Sequence, residues 1–409
     1  MKETRFKQTE IGLIPEDWEI LSVGKDCTVK ARIGWQGLTT SEYMLHGKYG
    51  LITSTDIVNG KINWSSCFFV SKFRYEQDKN IIIKAGDILI SKDGTIGKVG
   101  IVSEIPFPAT LNSGVFVVRS KNQQLQYATA LAFISPYFKD FIKRLTAGST
   151  IIHLYQKDIV KFTYPVPKCI EEQNKIASAL TTIDNLLLSL DKLIEKKRLI
   201  KQGAMQELLT GKKRLPGFAG EWVERRLGEI GVLAMCKRVF QEETSEKGDI
   251  PFYKIGTFGR KADAYISVNK YKQLKQMYRF PKKGDILISA AGTIGRSVVY
   301  DGKPAYFQDS NIIWLDHNEK QIINRFLYFI YQVIKWNTEN TTIARLYNDN
   351  FNSMTIRFPL SIEEQQAIAS ALTRMDKEIE SLEGKKAKYE QIKQGMMQQL
   401  LTGKIRLIS

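Results

Sequence analysis

The sequence predicts an α+β chain: two strand-rich mixed α/β lobes separated by two long helices that pair as an antiparallel coiled coil, with pseudo-two-fold symmetry. Three observations carry that prediction. First, the chain is written twice. Glu171-Glu172-Gln173 and Ile176-Ala177-Ser178-Ala179-Leu180-Thr181 return as Glu363-Glu364-Gln365 and Ile368-Ala369-Ser370-Ala371-Leu372-Thr373. Further on, Ile200-Lys201-Gln202-Gly203 and Leu208-Leu209-Thr210-Gly211-Lys212 return as Ile392-Lys393-Gln394-Gly395 and Leu400-Leu401-Thr402-Gly403-Lys404. So long a period excludes a solenoid and fits a duplicated domain. Second, the repeated segments carry a helical apolar stripe. Third, the segments between them carry short apolar runs broken by glycine, which read as strands. The division expected is a first lobe over 1–168, a helical region over 169–213, a second lobe over 214–360 and a second helical region over 361–409.

The first lobe opens on a polar, charged stretch, with no signal-peptide pattern. Trp18, after Ile14-Pro15-Glu16-Asp17, has its counterpart in Trp222, after Phe218-Ala219-Gly220-Glu221. Ile81-Ile82-Ile83 is apolar but too short to type by periodicity. Asp87-Ile88-Leu89-Ile90 and Gly100-Ile101-Val102 bracket a glycine-containing turn and predict a hairpin around Gly94. The second lobe repeats it with Asp285-Ile286-Leu287-Ile288 and Ser297-Val298-Val299-Tyr300 around Gly292. Val115-Phe116-Val117-Val118 and Ile312-Ile313-Trp314-Leu315 are further strands. Helical patterns follow over Ala128–Leu145 and Ile322–Trp336. The spacing between matching anchors shrinks along the chain, so the second copy is the shorter.

From Ile170 to Thr210 the sequence reads as one long helix, or two in close succession. Ile176, Leu180, Ile183, Leu187, Leu190 and Ile194 alternate steps of four and three, the seam of a coiled coil. Ile368, Leu372, Met375, Ile379 and Leu382 repeat it. About forty helical residues span roughly 60 Å, too long a stripe to leave exposed. Each copy offers the other a seam, and a two-fold relation makes the pair antiparallel; the alternative is that each stripe packs on its own lobe. Ser361 with Glu364 predicts a capping box, whereas Cys169 occupies the first cap. Gly211 and Gly403 suit left-handed helix ends. Gly203 and Gly395, inside the pattern, predict a close helix–helix contact or a break.

The net charge of +17 favours a polyanionic partner, and the lysines lie in both lobes rather than in a tail. Around the shared strands the loops differ. Lys92-Asp93 faces Ala290-Ala291, Lys98 faces Arg296, and Lys30-Ala31-Arg32 with Trp35-Gln36 contrasts with Lys237-Arg238 and Gln241. Cationic, amide and aromatic side chains on variable loops suit phosphate anchoring and base-edge reading. The candidate DNA-binding residues are Arg32, Gln36, Lys92, Thr95 and Lys98 in the first lobe, and Arg238, Lys254, Arg260, Thr293 and Arg296 in the second. The candidate spacer and partner interface is Ile176, Leu180, Ile183, Leu187, Ile368, Leu372, Met375 and Ile379.

Catalytic signatures are missing. The three histidines, His46, His153 and His317, have no repeat partners, and the four cysteines, Cys27, Cys67, Cys169 and Cys236, are scattered without metal-ligand spacing. Gly94-Thr95-Ile96-Gly97-Lys98 is followed by Val99 and fails as a phosphate-binding loop. Asp87 with Lys92 gestures at a metal-dependent nuclease, but Asp285 pairs with Ala290. No catalytic residue and no metal ligand is expected. No apolar run is long enough for a membrane span, and scattered thiols suit a reducing cytoplasm.

Two variable lobes, each followed by Glu-Glu-Gln…Ile-Ala…Leu…Asp and closing on Lys-Gln-Gly-x-Met-Gln-x-Leu-Leu-Thr-Gly-Lys-x-Arg-Leu, resemble the specificity subunit of type I restriction–modification enzymes. The match runs position for position over Lys201–Leu215 and over Lys393–Leu407. The resemblance implies that each lobe is a target recognition domain reading half of a split duplex-DNA site. It implies that the helices fix the gap and help dock two modification subunits, which hold S-adenosylmethionine and methylate adenine. Restriction subunits using ATP and Mg²⁺ join such complexes, and this chain itself binds no cofactor. A stand-alone nuclease or methyltransferase, or a coiled-coil scaffold with no DNA role, stays open on the residues alone.

Overall fold

The computed structural model describes residues 4–34, 37–147, 153–336 and 345–408. The chain forms two compact units. Unit 1 is Met1–Ser189 with Lys385–Ser409, and unit 2 is Leu190–Gly384. The division cuts both long helices in the middle, so neither helical region stands apart from a lobe. The first helix runs unbroken over Ile170–Leu208 and the second over Ile362–Leu400.

Within each unit the two half-helices run antiparallel. In unit 1 Lys393 meets Asp184 at 2.7 Å. In unit 2 Lys201 meets Asp376 at 2.5 Å and Lys197 meets Glu378 at 2.6 Å. The partner number falls as the residue number rises, which only an antiparallel pair allows. Ile176, Leu180, Ile183, Ile368, Leu372 and Ile379 are buried, while Leu187 and Met375 are half-buried. The two packings weighed from sequence both occur. Ile176 and Leu180 sit in one cluster with Leu131 and Trp18 of the lobe, with Leu400 of the opposing helix and with Leu401 just after it. Ile368 and Leu372 likewise join Met205, Leu208, Phe326 and Phe358. Each such side chain contributes roughly 1.5–3 kcal/mol through lost apolar exposure.

The lobes share one plan. A four-stranded antiparallel sheet in unit 1 has Cys27–Lys30 beside Val115–Ser120, then Ile88–Ser91, then Val99–Ile101. Unit 2 repeats that order with Val232–Met235, Ile312–Asp316, Ile286–Ser289 and Ser297–Val299. A three-stranded sheet is built in both on a parallel pair: Ala109–Leu111 with Tyr49–Ile52, and Tyr306–Phe307 with Ile250–Tyr253. A two-stranded ribbon, Trp18–Ser22 with Thr163–Pro167 and Trp222–Arg226 with Thr355–Pro359, leads into each long helix. The predicted hairpins are therefore present in both copies. The Ala128–Leu145 pattern resolves into Gln126–Ile134 and Pro136–Thr146, parted at Ser135-Pro136, and the later pattern into Asn324–Val333. Ile81 closes a short 3-10 turn instead of entering a strand.

The repeated Glu-Glu-Gln is a joint. Glu172 and Glu364 are fully buried. Glu172 receives two charge-assisted bonds of 2.6 and 2.7 Å from Arg406, and Glu364 two of 2.6 Å from Arg214. Each arginine follows the end of the opposing helix and lies over a tryptophan ring, Arg406 on Trp18 and Arg214 on Trp222. Gln173 and Gln365 donate to the carbonyls of Pro167 and Pro359. Thus the capping box is only half made: Ser361 Oγ accepts from the Glu364 amide at 3.1 Å, but the Glu364 carboxylate turns to Arg214.

Gly211 and Gly403 adopt φ of +71° and +68°, the left-handed ends expected. Gly403 also lies against Pro15 and Trp18, with no room for a Cβ. Gly203 and Gly395 contradict their expectation. The helices pass through them unbroken, and nothing lies within 4 Å of where a Cβ would stand.

Candidate nucleic-acid interface

The hairpin tips of the two units are closely matched. Ser91 Oγ donates to the Thr95 carbonyl at 2.6 Å and accepts from the Lys98 amide at 2.9 Å. Ser289 does the same with Thr293 and with the Arg296 amide. Gly94 and Gly97, like Gly292 and Gly295, hold positive φ, which glycine alone accepts without strain. Behind the second glycine stands an apolar wall, Ile142 in unit 1 and Trp336 in unit 2, too close for a Cβ. On one flank Lys92 N donates to the Gly114 carbonyl and Ala290 N to that of Asn311. On the other, Leu154 and Leu346 donate to the carbonyls of Lys92 and Ala290. Each tip is a rigid mount for whatever side chains it carries.

In unit 1 Thr95 is exposed at the tip and Lys98 is half-buried beside it. Lys92 lies with its ammonium 5.2 Å from the Phe116 ring centre. Arg32 is a correction. It is 2 % exposed and donates to the Leu111 carbonyl, to Thr110 Oγ1, to Gln77 and to the Arg74 carbonyl. Burial pulls its guanidinium below the ordinary arginine value, and Arg74 adds to that. It cements the lobe and offers nothing to a partner. The strand register pairs Lys30 with Val117 and Ala234 with Trp314, which sets Arg32 opposite the equally buried Cys236. Arg32 does lie beyond the strand that ends at Lys30, but its charge was misread as exposure. Gln36 lies outside the described residues.

In unit 2 the predicted residues converge. Arg296 donates to the Phe258 carbonyl at 3.1 Å, tying the tip to the loop of Lys254 and Arg260. Lys254 is paired with Asp263 at 2.9 Å, Arg260 is exposed, and Thr293 is exposed at the tip. Arg238 meets Asp309 at 2.8 Å in the turn whose Asn311 holds Ala290. Arg296 thus joins the tip that carries Thr293 to the loop of Lys254 and Arg260, while Arg238 stands on the Asp309 turn.

Two residues escaped the sequence reading. His153 forms a bridge with Asp93, and Arg345 forms the same bridge with Ala291. His153 Nδ1 lies 2.6 Å from Asp93 Oδ1. The neighbouring Leu154-Tyr155 and Leu346-Tyr347 were the signal, since the preceding residue of each pair falls at one position.

Asp87 does not pair with Lys92. Its carboxylate takes two bonds of 2.6 Å from Arg119 and one from the Lys84 amide. Asp285 accepts from the Lys282 amide, and burial raises its pKa above the usual carboxylate value. Among the described residues no cluster of three or more His, Cys, Asp or Glu is placed to hold a metal ion. No described helix is long and apolar enough to cross a membrane.

A model of the type I restriction modification DNA specificity domain matches the chain twice, over residues 15–201 and 219–391. The chain is 26 % identical to a putative type I restriction enzyme MjaX specificity subunit of Methanocaldococcus jannaschii, over 99 % of this chain and 98 % of that one. With a putative type I specificity subunit of Haemophilus influenzae the identity is 52 %, over 37 % of this chain and 39 % of that relative's length. Its fold is similar to the crystal structure of a type I S subunit from M. genitalium, with a TM-score of 0.57 at 17 % identity, covering 94 % and 96 % of the two chains.

Proposed function

The chain belongs to the type I restriction modification DNA specificity family, and from that premise we propose that each unit reads one half of a bipartite duplex site through the face bearing its Gly-Thr-Ile-Gly tip. One observation carries the reading: the two tips share their backbone and hydrogen bonds but present different side chains. A common mount with changed chemistry is what two unlike half-sites require. Lys98, Lys254, Arg260 and Arg296 anchor phosphates, Thr95 and Thr293 approach the groove, and Arg238 adds charge in unit 2. Arg32 leaves the set.

The long helices set the number of unspecified base pairs and dock two modification subunits. Leu193, Leu199 and Ile200 remain exposed on the first helix and offer apolar contact to such a partner. Methyl transfer, with S-adenosylmethionine, and any ATP- and Mg²⁺-dependent cleavage by restriction subunits belong to those partners, in the cytoplasm where the DNA lies. The chain contributes recognition.

The test is to map methylated adenines in a host carrying this chain with its modification subunit. A bipartite motif is expected, and Arg296→Ala should weaken one half while Lys98→Ala weakens the other. The purified chain alone, given DNA and methyl donor or Mg²⁺, should do neither chemistry. A motif without two halves, or a product formed by the chain alone, would overturn the reading.

A further inference from the structure

We propose that the position occupied by His153 in unit 1 and Arg345 in unit 2, together with its bridge partner (Asp93 or Ala291), determines which base pair each tip accepts. The proposal rests on the reading of the tip faces as DNA-contacting and names the discriminating groups within them.

The argument is by comparison of two loops with one skeleton. Thr95 and Thr293 are the same residue on the same exposed turn, so they cannot tell one half-site from another. Lys98 and Arg296 are both cations. Lys92 differs from Ala290, but Ala290 is fully buried and the lysine ammonium rests over Phe116. What remains is the bridged pair. In unit 1 it is Asp93 with His153, two groups with side-chain exposures of 35 % and 53 %. In unit 2 it is Ala291 with Arg345, whose guanidinium reaches the Ser310 carbonyl at 3.5 Å.

The backbone holds both pairs alike. Leu154 and Leu346 each donate at 2.8 Å to the carbonyl of the tip residue preceding the bridge, which fixes the segment carrying His153 or Arg345. A side chain mounted on two hydrogen-bonded segments has little freedom to adapt, and a small error in placement discriminates among bases.

The chemistry differs by kind. Arg345 supplies a planar fork of donors, which matches the O6 and N7 acceptors of guanine in the major groove. Ala291 beside it adds no competing charge. In unit 1 the Asp93–His153 contact uses one carboxylate oxygen and Nδ1, leaving the other oxygen and Nε2 outside the pair. A carboxylate accepts from the amino group of cytosine or adenine and repels the guanine acceptors. Unit 2 should therefore require a guanine where unit 1 rejects one.

The experiment uses the full chain with its modification subunit, reading both the methylated motif in a host genome and binding to duplexes with each half-site randomised. The paired exchange Asp93→Ala with His153→Arg should move one or two adjacent base pairs of a single half-site toward guanine and leave the other half unchanged. Arg345→Lys keeps the charge and loses the fork. It should relax a guanine in the other half-site by about tenfold to a hundredfold, the range of one bidentate contact. Unaltered base preference in both variants would overturn the proposal, as would a loss of affinity spread evenly over all sequences. Neither result touches the bipartite reading, which fails only if the parent chain yields no two-part motif. If the parent motif is bipartite but one half lacks any specified G·C pair, the assignment of Arg345 falls alone.

Discussion

Units 1 and 2 agree in the framework that holds each together and differ in several of the groups mounted on it. The sheet orders, the tip hydrogen bonds and the Glu–Arg–Trp joint recur. The groups on the tips, the residue opposite Cys236 and the cap of the long helix do not. The difference teaches that charge is a poor guide to function in a duplicated chain. Arg32 is buried in unit 1 where unit 2 has a thiol, while Arg345 and His153, of different character, share one external station. A charged residue without a charged counterpart can be a private solution to packing as easily as a contact.

The strongest way to break the comparison is at the joints. Arg406 pairs with two carboxylates, Glu172 and Asp17, whereas Arg214 pairs with Glu364 alone. Removing Arg406 leaves the fully buried Glu172 uncompensated, so Arg406→Ala should cost about 3 kcal/mol of stability in urea unfolding. Arg214→Ala should destabilise unit 2 less, because one carboxylate fewer loses its partner. Arg406 also holds Asp17 below its ordinary carboxylate value. A lowered folded pKa stabilises fully above the unfolded value near 3.8 and loses that contribution as pH falls through the folded one. The acid-side loss of stability traceable to Asp17 should therefore vanish in Arg406→Ala. An unchanged acid limb would show that Asp17 is not held by this contact.

Next in size is the Arg32 position. Its donors satisfy the Leu111 and Arg74 carbonyls and Thr110, so Arg32→Ala strands buried acceptors and should cost about 2 kcal/mol. The methylated motif at the level of bases should stay the same, if the variant is assayed below its unfolding temperature. A changed motif with unchanged stability would return Arg32 to the reading surface.

Much of the fold was legible because it rests on local rules that the repeat doubled. The period of Ile176, Leu180 and Ile183 specified a helix seam, and glycines between short apolar runs specified hairpins. The antiparallel pairing followed from the duplication. The joint was not legible: Glu172 and Arg406 are far apart in sequence, and only the fold brings the end of one helix to the start of the other. Arg214-Leu215 and Arg406-Leu407 recur, yet recurrence says that a residue matters and not what it touches. The site was half legible. Thr95, Thr293 and Arg296 could be placed on tips by the glycines beside them. His153 and Arg345 could not, since the recurring Leu154-Tyr155 and Leu346-Tyr347 align the two positions but do not show the long-range bridge to the tip. Arg32 failed because a strand's outer residues and its successors look alike until the register is known.

A smaller effect separates the two helix starts. Ser361 Oγ accepts the Glu364 amide, while exposed Cys169 stands at the equivalent place in unit 1. Ser361→Ala should lower stability by about 1 kcal/mol, and Cys169→Ser should raise it by a comparable amount. Equal responses of the two sites to alanine would mean that the thiol already caps its helix.

The smallest expected change sharpens the comparison in the other direction, since here the copies agree. Gly203 and Gly395 sit inside unbroken helices with nothing within 4 Å of a Cβ position. A helical glycine costs up to about 1 kcal/mol relative to alanine, so Gly203→Ala and Gly395→Ala should each stabilise the isolated chain by somewhat less than that, measured by thermal unfolding. Packing within the chain gives no reason to keep glycine at either place. If both variants are more stable alone yet assemble less well with the modification subunit, the close approach that these glycines permit is made by that partner's backbone. If assembly is unaffected, their recurrence marks common descent of the two helices and nothing more.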